Sequence, residues 1–177
     1  SEFDTFDEYK ADVKAKITER HNKTADSEVE EKLIDALIEN LEADIPEAMF
    51  VSETENQLRD YDNRLRMQGL DLGTYLKYTG LDLDKMREQF RPRAERQVKT
   101  RLALEKIAQL ENIEVTEEDT EAEIKKIAEM YNMEAEKVRE QISPDMLAED
   151  IKVGKAVELV KANAVITDKA SETEKTE

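Results

Sequence analysis

The chain has no cysteine and no tryptophan, and only one histidine, four glycines and three prolines in 177 residues. Without cysteine there is no disulfide scaffold, no thiol nucleophile and no thiolate metal site. His21 stands in a polar stretch with no second imidazole to share a metal or a proton, so the expected role is a solvated helix residue. Gly69 and Gly73 fall in a turn with no strand before it and no lysine at the required place, which excludes a phosphate-binding loop. No apolar run approaches the roughly 20 residues of a membrane span, and the polar segment opened by Ser1 lacks a signal-peptide pattern. With no constellation of residues to carry chemistry, an enzyme is the poorest reading, and neither a cofactor nor a metal is expected.

What the chain does have is charge. Charged residues reach 40% and apolar residues 38%, against about 25% and about 45–50% in typical globular chains. That is too much charge for a compact body and too much periodic Leu, Ile and Val for disorder. Forty-four acidic against 27 basic residues give a net charge of −17, which repels phosphate backbones and argues against direct nucleic-acid binding. Scarce Gly and Pro leave long stretches of helix formers, so the expected class is all-α and elongated.

The organising stretch is Leu81 to Asn112. Leu83, Met86, Phe90, Ala94, Val98 and Leu102 recur once per helical turn, and Ala103, Leu104, Ile107, Ala108 and Leu110 thicken the pattern into two covered faces. Asp82 is placed to cap this helix after Gly80 ends the preceding turn, and Pro92 predicts a kink near Phe90. Before it, residues 6–41 contain no Gly or Pro and keep a stripe through Phe6, Tyr9, Val13, Ile17, Val29, Leu33 and Leu37. At about 1.5 Å per residue this is a helix of roughly 50 Å, with a polar waist over 18–28 that leaves a break into two helices open. A second helix starts at Asp44-Ile45-Pro46 and ends at Gly69, its apolar side interrupted by Glu53, Thr54 and Gln57. Residues 70–80 read as a turn-rich connection, yet hold Leu70, Leu72, Tyr75, Leu76 and Tyr78. Either a local mini-core closes a helical hairpin there, or an apolar surface is offered to a partner.

Past the central helix, Thr116 followed by three acids opens a helix that Asn132 stops, with Ala122, Ile124, Ile127, Ala128 and Tyr131 on its buried side. A short helix with Ala135 and Val138 follows, and Ser143-Pro144 starts the last one, with Ile142 placed to staple onto Leu147. Residues 167–177 lack periodicity and read as a disordered tail. The basic residues Arg87, Arg91, Arg93, Arg96, Lys99 and Arg101 spread round a helical wheel, which suits ion pairs with acidic neighbours better than one docking face. The acidic clusters at Glu28, Glu30, Glu31 and at Glu117, Glu118, Asp119 read as solvated faces and helix starts. Six methionines in company with Tyr75 and Tyr78 suit adaptable apolar surfaces.

Several phrases in order resemble the C-terminal chaperone region of bacterial trigger factor: SEFDTFDEYKADVKAKI, ADIPEAMF, GTYLKYTGLDLDKMREQFRPRAERQVKTRLALEKIAQLENIEVTEED and VELVKANAVITDKA. The resemblance covers essentially the whole chain. It implies an all-α, elongated multi-helix body with two protruding helical arms, acting as an ATP-independent cytoplasmic chaperone for unfolded or nascent polypeptides. The implied layout is a chaperone region over 1–166, with a long first helix at 1–45, a first arm and central helix at 46–112, and a second arm at 113–166. The family's ribosome-docking Gly-Phe-Arg loop and its prolyl-isomerase domain have no counterpart in the sequence. An excised fragment is therefore expected, catalytically silent and reaching the ribosome only through parts it lacks.

In such a cradle, the apolar residues expected to meet clients are Met49, Phe50, Met67, Leu70, Leu72, Tyr75, Tyr78, Met130 and Met133. The alternative is a helical scaffold or dimerisation module without client binding, and a homodimer stays open. A compact chain of this length has a radius of gyration of about 16 Å. Small-angle scattering of the monomer should give a clearly larger value, and a compact radius would remove the cradle.

Overall fold

The computed structural model describes residues 5–166, and within them places seven helices and no strand: α1 (Phe6–Glu39), α2 (Glu47–Met67), α3 (Leu72–Thr79), α4 (Leu83–Leu110), α5 (Glu117–Tyr131), α6 (Ala135–Gln141) and α7 (Pro144–Asn163). The class read from the sequence, all-α, is the class observed. The tail expected over 167–177 lies outside the described residues. Residues 37–157 form one compact unit; the described residues 5–36 and 158–166 belong to a second.

In the second unit, α1 runs unbroken through its polar waist. There Glu19 pairs with Lys23 at 2.7 Å, as Asp12 does with Lys16 at 2.9 Å ahead of the waist, each with the acid on the N-terminal side, the favourable orientation against the helix dipole. The apolar stripe is not a core, however. Phe6, Tyr9 and Ile17 are exposed and Ile34 is the buried residue of the helix. Lys161 of α7 pairs with Glu30 at 2.7 Å.

In the first unit, α2 and α4 make the most extensive helix contact. Pro46, with φ −59°, lies just before α2 and fixes its first turn. Burial along α2 is more continuous than its sequence suggests, because Thr54 and Gln57 are buried beside Leu58 and Leu65. The Thr54 hydroxyl satisfies itself by donating to the Phe50 carbonyl at 2.8 Å. The Gln57 amide donates to Gln97 at 3.2 Å and Glu53 at 3.3 Å, leaving its carbonyl oxygen without a partner among the described residues. Opposite them, Met86, Ala94 and Val98 of α4 are buried. The helix stays continuous across Pro92, which offers no N–H to the carbonyl one turn back.

The stretch expected to be a turn-rich connection is instead the eight-residue helix α3. Gly69, at φ +79°, reverses the chain after α2, and the Leu70 N–H returns to the Leu65 carbonyl at 2.9 Å. Asp71 caps α3 by accepting from the Thr74 N–H at 2.9 Å. Gly80, at φ +69°, ends it, and Asp82 caps α4 by accepting from the Lys85 N–H at 2.7 Å.

The other apolar cluster joins α5, α6 and α7 through Ile124, Ala128, Val138, Leu147 and Ile151, with Ile142 packed against it. Thr116 and Asp119 form a reciprocal cap at the start of α5, and Asn132 ends that helix at φ 51°. Lys155 of α7 ties this start down, donating to the Glu114 carbonyl at 3.0 Å and to the Asp119 carboxylate.

The ammonium of Lys155, with the Thr116 backbone N–H and hydroxyl, lowers the Asp119 carboxyl from 3.8 to about 2. A depressed folded value means that the contribution is complete above the unfolded pKa and is lost as pH falls from about 3.8 through about 2. Asp119→Asn should therefore lower the melting temperature near neutral pH and converge on the parent in strong acid. A deficit that persists undiminished at the acid end would show that the residue acts through something other than its charge.

Candidate functional site

The joint between α2, α3 and α4 is cross-braced by aromatic rings. Tyr61 meets Tyr75 edge-on, with ring centroids 5.6 Å apart, and meets Phe90 at the same separation. A hydrogen bond with Tyr75, followed in weight by burial, pushes the Tyr61 phenol above its ordinary value. Next to it, Asp62 accepts from the Leu72 N–H at 2.8 Å and pairs with Arg66 at 2.8 Å, so the first turn of α3 is fastened to α2. Those two contacts, the backbone one first, hold the Asp62 carboxyl below its usual range. At the other end of α2, Arg91 grips Glu47 with two bonds of 2.5 and 2.7 Å, reaches Glu95 at 2.5 Å, and lies 5.1 Å from the centre of the Phe50 ring.

This bracing divides the nine residues expected to form an apolar contact surface. Met67 (88% exposed) and Tyr78 (83%) project at the α2–α3 turn and the end of α3. Leu70, Leu72 and Tyr75, between them, are half-buried, and Tyr75 belongs to the brace. The stretch thus has an inner face that closes the joint, as the mini-core reading expects, and an outer face that takes no part in it. Phe50 is half-buried under Arg91, whereas Met49 (39%) borders a groove of about 410 Å³ between α2 and α4, with Val98 and Leu102 in its lining and Glu53 and Glu105 beside them.

At the end of α5, Met130 is 68% exposed, while Met133 is half-buried against the α5–α6–α7 cluster. Tyr131, expected on the buried side, is 67% exposed beside Met130. The sequence pattern places it with the buried stripe, three residues past Ala128 and four past Ile127, so its exposure shows that the packing of α5 does not extend to its last residue.

No helix of the described residues is long and apolar enough to cross a membrane, and no group of acidic or histidine side chains among them is arranged to hold a metal.

The family described as "Bacterial trigger factor protein (TF) C-terminus" matches residues 5–162. The chain belongs to this family. Proteins named trigger factor from Bacillus thuringiensis (strain Al Hakam), Bacillus cereus (strain AH820) and Bacillus anthracis (strain A0248) are each 41% identical over 161 residues, which cover 90% of this chain and 38% of the relative. The chain thus spans well under half the length of those trigger factors. No solved structure matches it.

Among trigger factor C-terminal residues, those in the brace and those outside it should behave differently when removed. Tyr61→Ala deletes the ring that touches both Tyr75 and Phe90 and should cost about 1–2 kcal/mol, less than a fully buried aromatic because Tyr61 is only half-buried. Tyr78→Ala should stay within about 0.5 kcal/mol of the parent. Chemical denaturation of the two variants measures both values.

Proposed function

We propose that the chain is an ATP-independent chaperone segment that holds unfolded or nascent polypeptides in the cytoplasm and assists their folding, through apolar side chains held outward by a rigid helical joint. The observation that carries this reading is the exposure of Met67 and Tyr78 on a brace whose inner residues are committed to Tyr61, Phe90 and Asp62. Covering a large apolar side chain contributes about 1.5–3 kcal/mol before ordering costs and demands no particular sequence, which suits a holder of varied clients. Met49 and the Met130–Tyr131 pair supply further patches. Linked weak contacts on one long client add avidity without any being tight. The net charge of −17 keeps such patches from self-association and favours clients with basic residues beside their apolar segments, an effect that weakens with salt. Ribosome docking and prolyl isomerisation are assigned to no residue of this chain.

A helical scaffold or dimerisation module is the second reading. The exposed stripe of Phe6, Tyr9 and Ile17 on α1 favours it, since such a stripe suits a second helix. A mass that rises with concentration and falls on replacing those residues would favour that reading.

Met67→Ser combined with Tyr78→Ser should weaken suppression of aggregation of a denatured client several-fold, while helicity and the thermal transition stay close to the parent. If the folded double variant holds clients as well as before, the holding surface is not at this joint.

A further inference from the structure

Without cysteine or tryptophan, the softest electron-rich side chain in this sequence is the methionine thioether, of which it has six. The fold sorts the six sharply. Met86 is buried on α4 at 3% exposure, and Met133 is half-buried against the α5–α6–α7 cluster. Met67 is 88% exposed at the last position of α2. Met130, near the end of α5, and Met146, in the first turn of α7, are also mostly exposed. Two of the exposed thioethers, those of Met67 and Met130, belong to the apolar patches assigned to clients.

We propose that Met67 and Met130 are oxidation sites for hydrogen peroxide and related two-electron oxidants, and that their sulfoxides lower client holding while the helices stay packed. The thioether sulfur attacks one peroxide oxygen, and an S–O bond forms as the O–O bond breaks. The departing hydroxide takes the proton left on the transferred oxygen, so the products are sulfoxide and water. Sulfur loses two electrons and the peroxide gains the same two. The new side chain is polar and chiral, and covering it with an apolar client segment now carries a desolvation cost.

Neither change reaches the packing beneath. Tyr61, Tyr75 and Phe90 brace α3 without Met67, and the cluster under α5 is built from Ile124, Ala128 and Val138 rather than Met130. Tyr78 keeps its exposed ring, so holding falls rather than vanishes. Met86 is the internal control, because an oxidant reaches it only after the helices open. The consequence for clients rests on the apolar-patch reading; the oxidation itself does not.

The test treats the folded chain with limiting hydrogen peroxide and follows each methionine over time by peptide mass spectrometry. Met67 and Met130 should oxidise at the rate of methionine in a short unstructured peptide, and Met86 at least about 10-fold more slowly. Suppression of aggregation of a denatured client should fall several-fold in the oxidised parent, with circular dichroism and the thermal transition close to those of the untreated chain. It should recover after treatment with methionine sulfoxide reductases of both stereospecificities and a dithiol reductant. Met67→Leu combined with Met130→Leu, measured against its own untreated value, should lose little on the same treatment. Met67 oxidising no faster than Met86, a loss of holding that tracks unfolding, or an equal loss in the double variant would each overturn the proposal. An untreated parent that holds no client overturns the apolar-patch reading and the consequence drawn from it, while the mapped rates still decide the sites.

Discussion

The contact between α2 and α4 is the one on which the described site depends, and Ala94 is the most buried residue of α4. That residue is fully buried on the stripe that also carries Phe90 and Val98. Across the α2–α4 contact Thr54 and Gln57 are enclosed and Tyr61 reaches Phe90. Helix axes packed this way lie about 8–10 Å apart, set by the size of the side chains at the contact. A larger residue at 94 has no space to enter, since Ala94 is fully buried.

Scarcity of apolar side chains explains why so much of the joint is made with polar ones. In a chain that is 40% charged, α2 can offer only a few aliphatic residues to its partner. Thr54 and Gln57 fill the gap, and the buried Gln57 oxygen left without a partner is a cost of that solution, about 1–3 kcal/mol for such a group. Arg91 offsets part of it from outside, joining α2 and α4 through Glu47 while covering the Phe50 ring. The same economy recurs at α5, where a lysine from α7 holds the helix start through polar bonds.

An outward-facing apolar residue is useful to a holder of unfolded chains only if the backbone beneath it is fixed, since a mobile anchor pays ordering entropy at each encounter. Tyr75 and Tyr78 combine a fixed and an exposed aromatic ring on one short helix. Three residues apart, they lie on neighbouring parts of the α3 surface, yet Tyr75 packs edge-on against Tyr61 while Tyr78 is almost wholly exposed. Arg91 and Arg93 divide in the same way on α4, one bonded to Glu47 and Glu95 and the other exposed.

Most helix limits were legible from the sequence because their causes lie within four residues. Asp82, Thr116, Asn132 and Ser143-Pro144 each act on the backbone next to them, and the Glu19–Lys23 pair lies one turn apart within the waist that composition alone made doubtful. What the tertiary structure decided was which apolar and basic side chains would find partners. Helix α3 escaped notice because eight residues containing Gly73 make a marginal helix; it is held by Asp62 and Tyr61, which come from α2. Burial of Thr54 and Gln57 and exposure of Tyr131 likewise depend on neighbours distant in sequence or on the angle between packed helices. A periodic pattern fixes which residues share a helix face; it carries no information about what, if anything, the rest of the chain brings to cover that face.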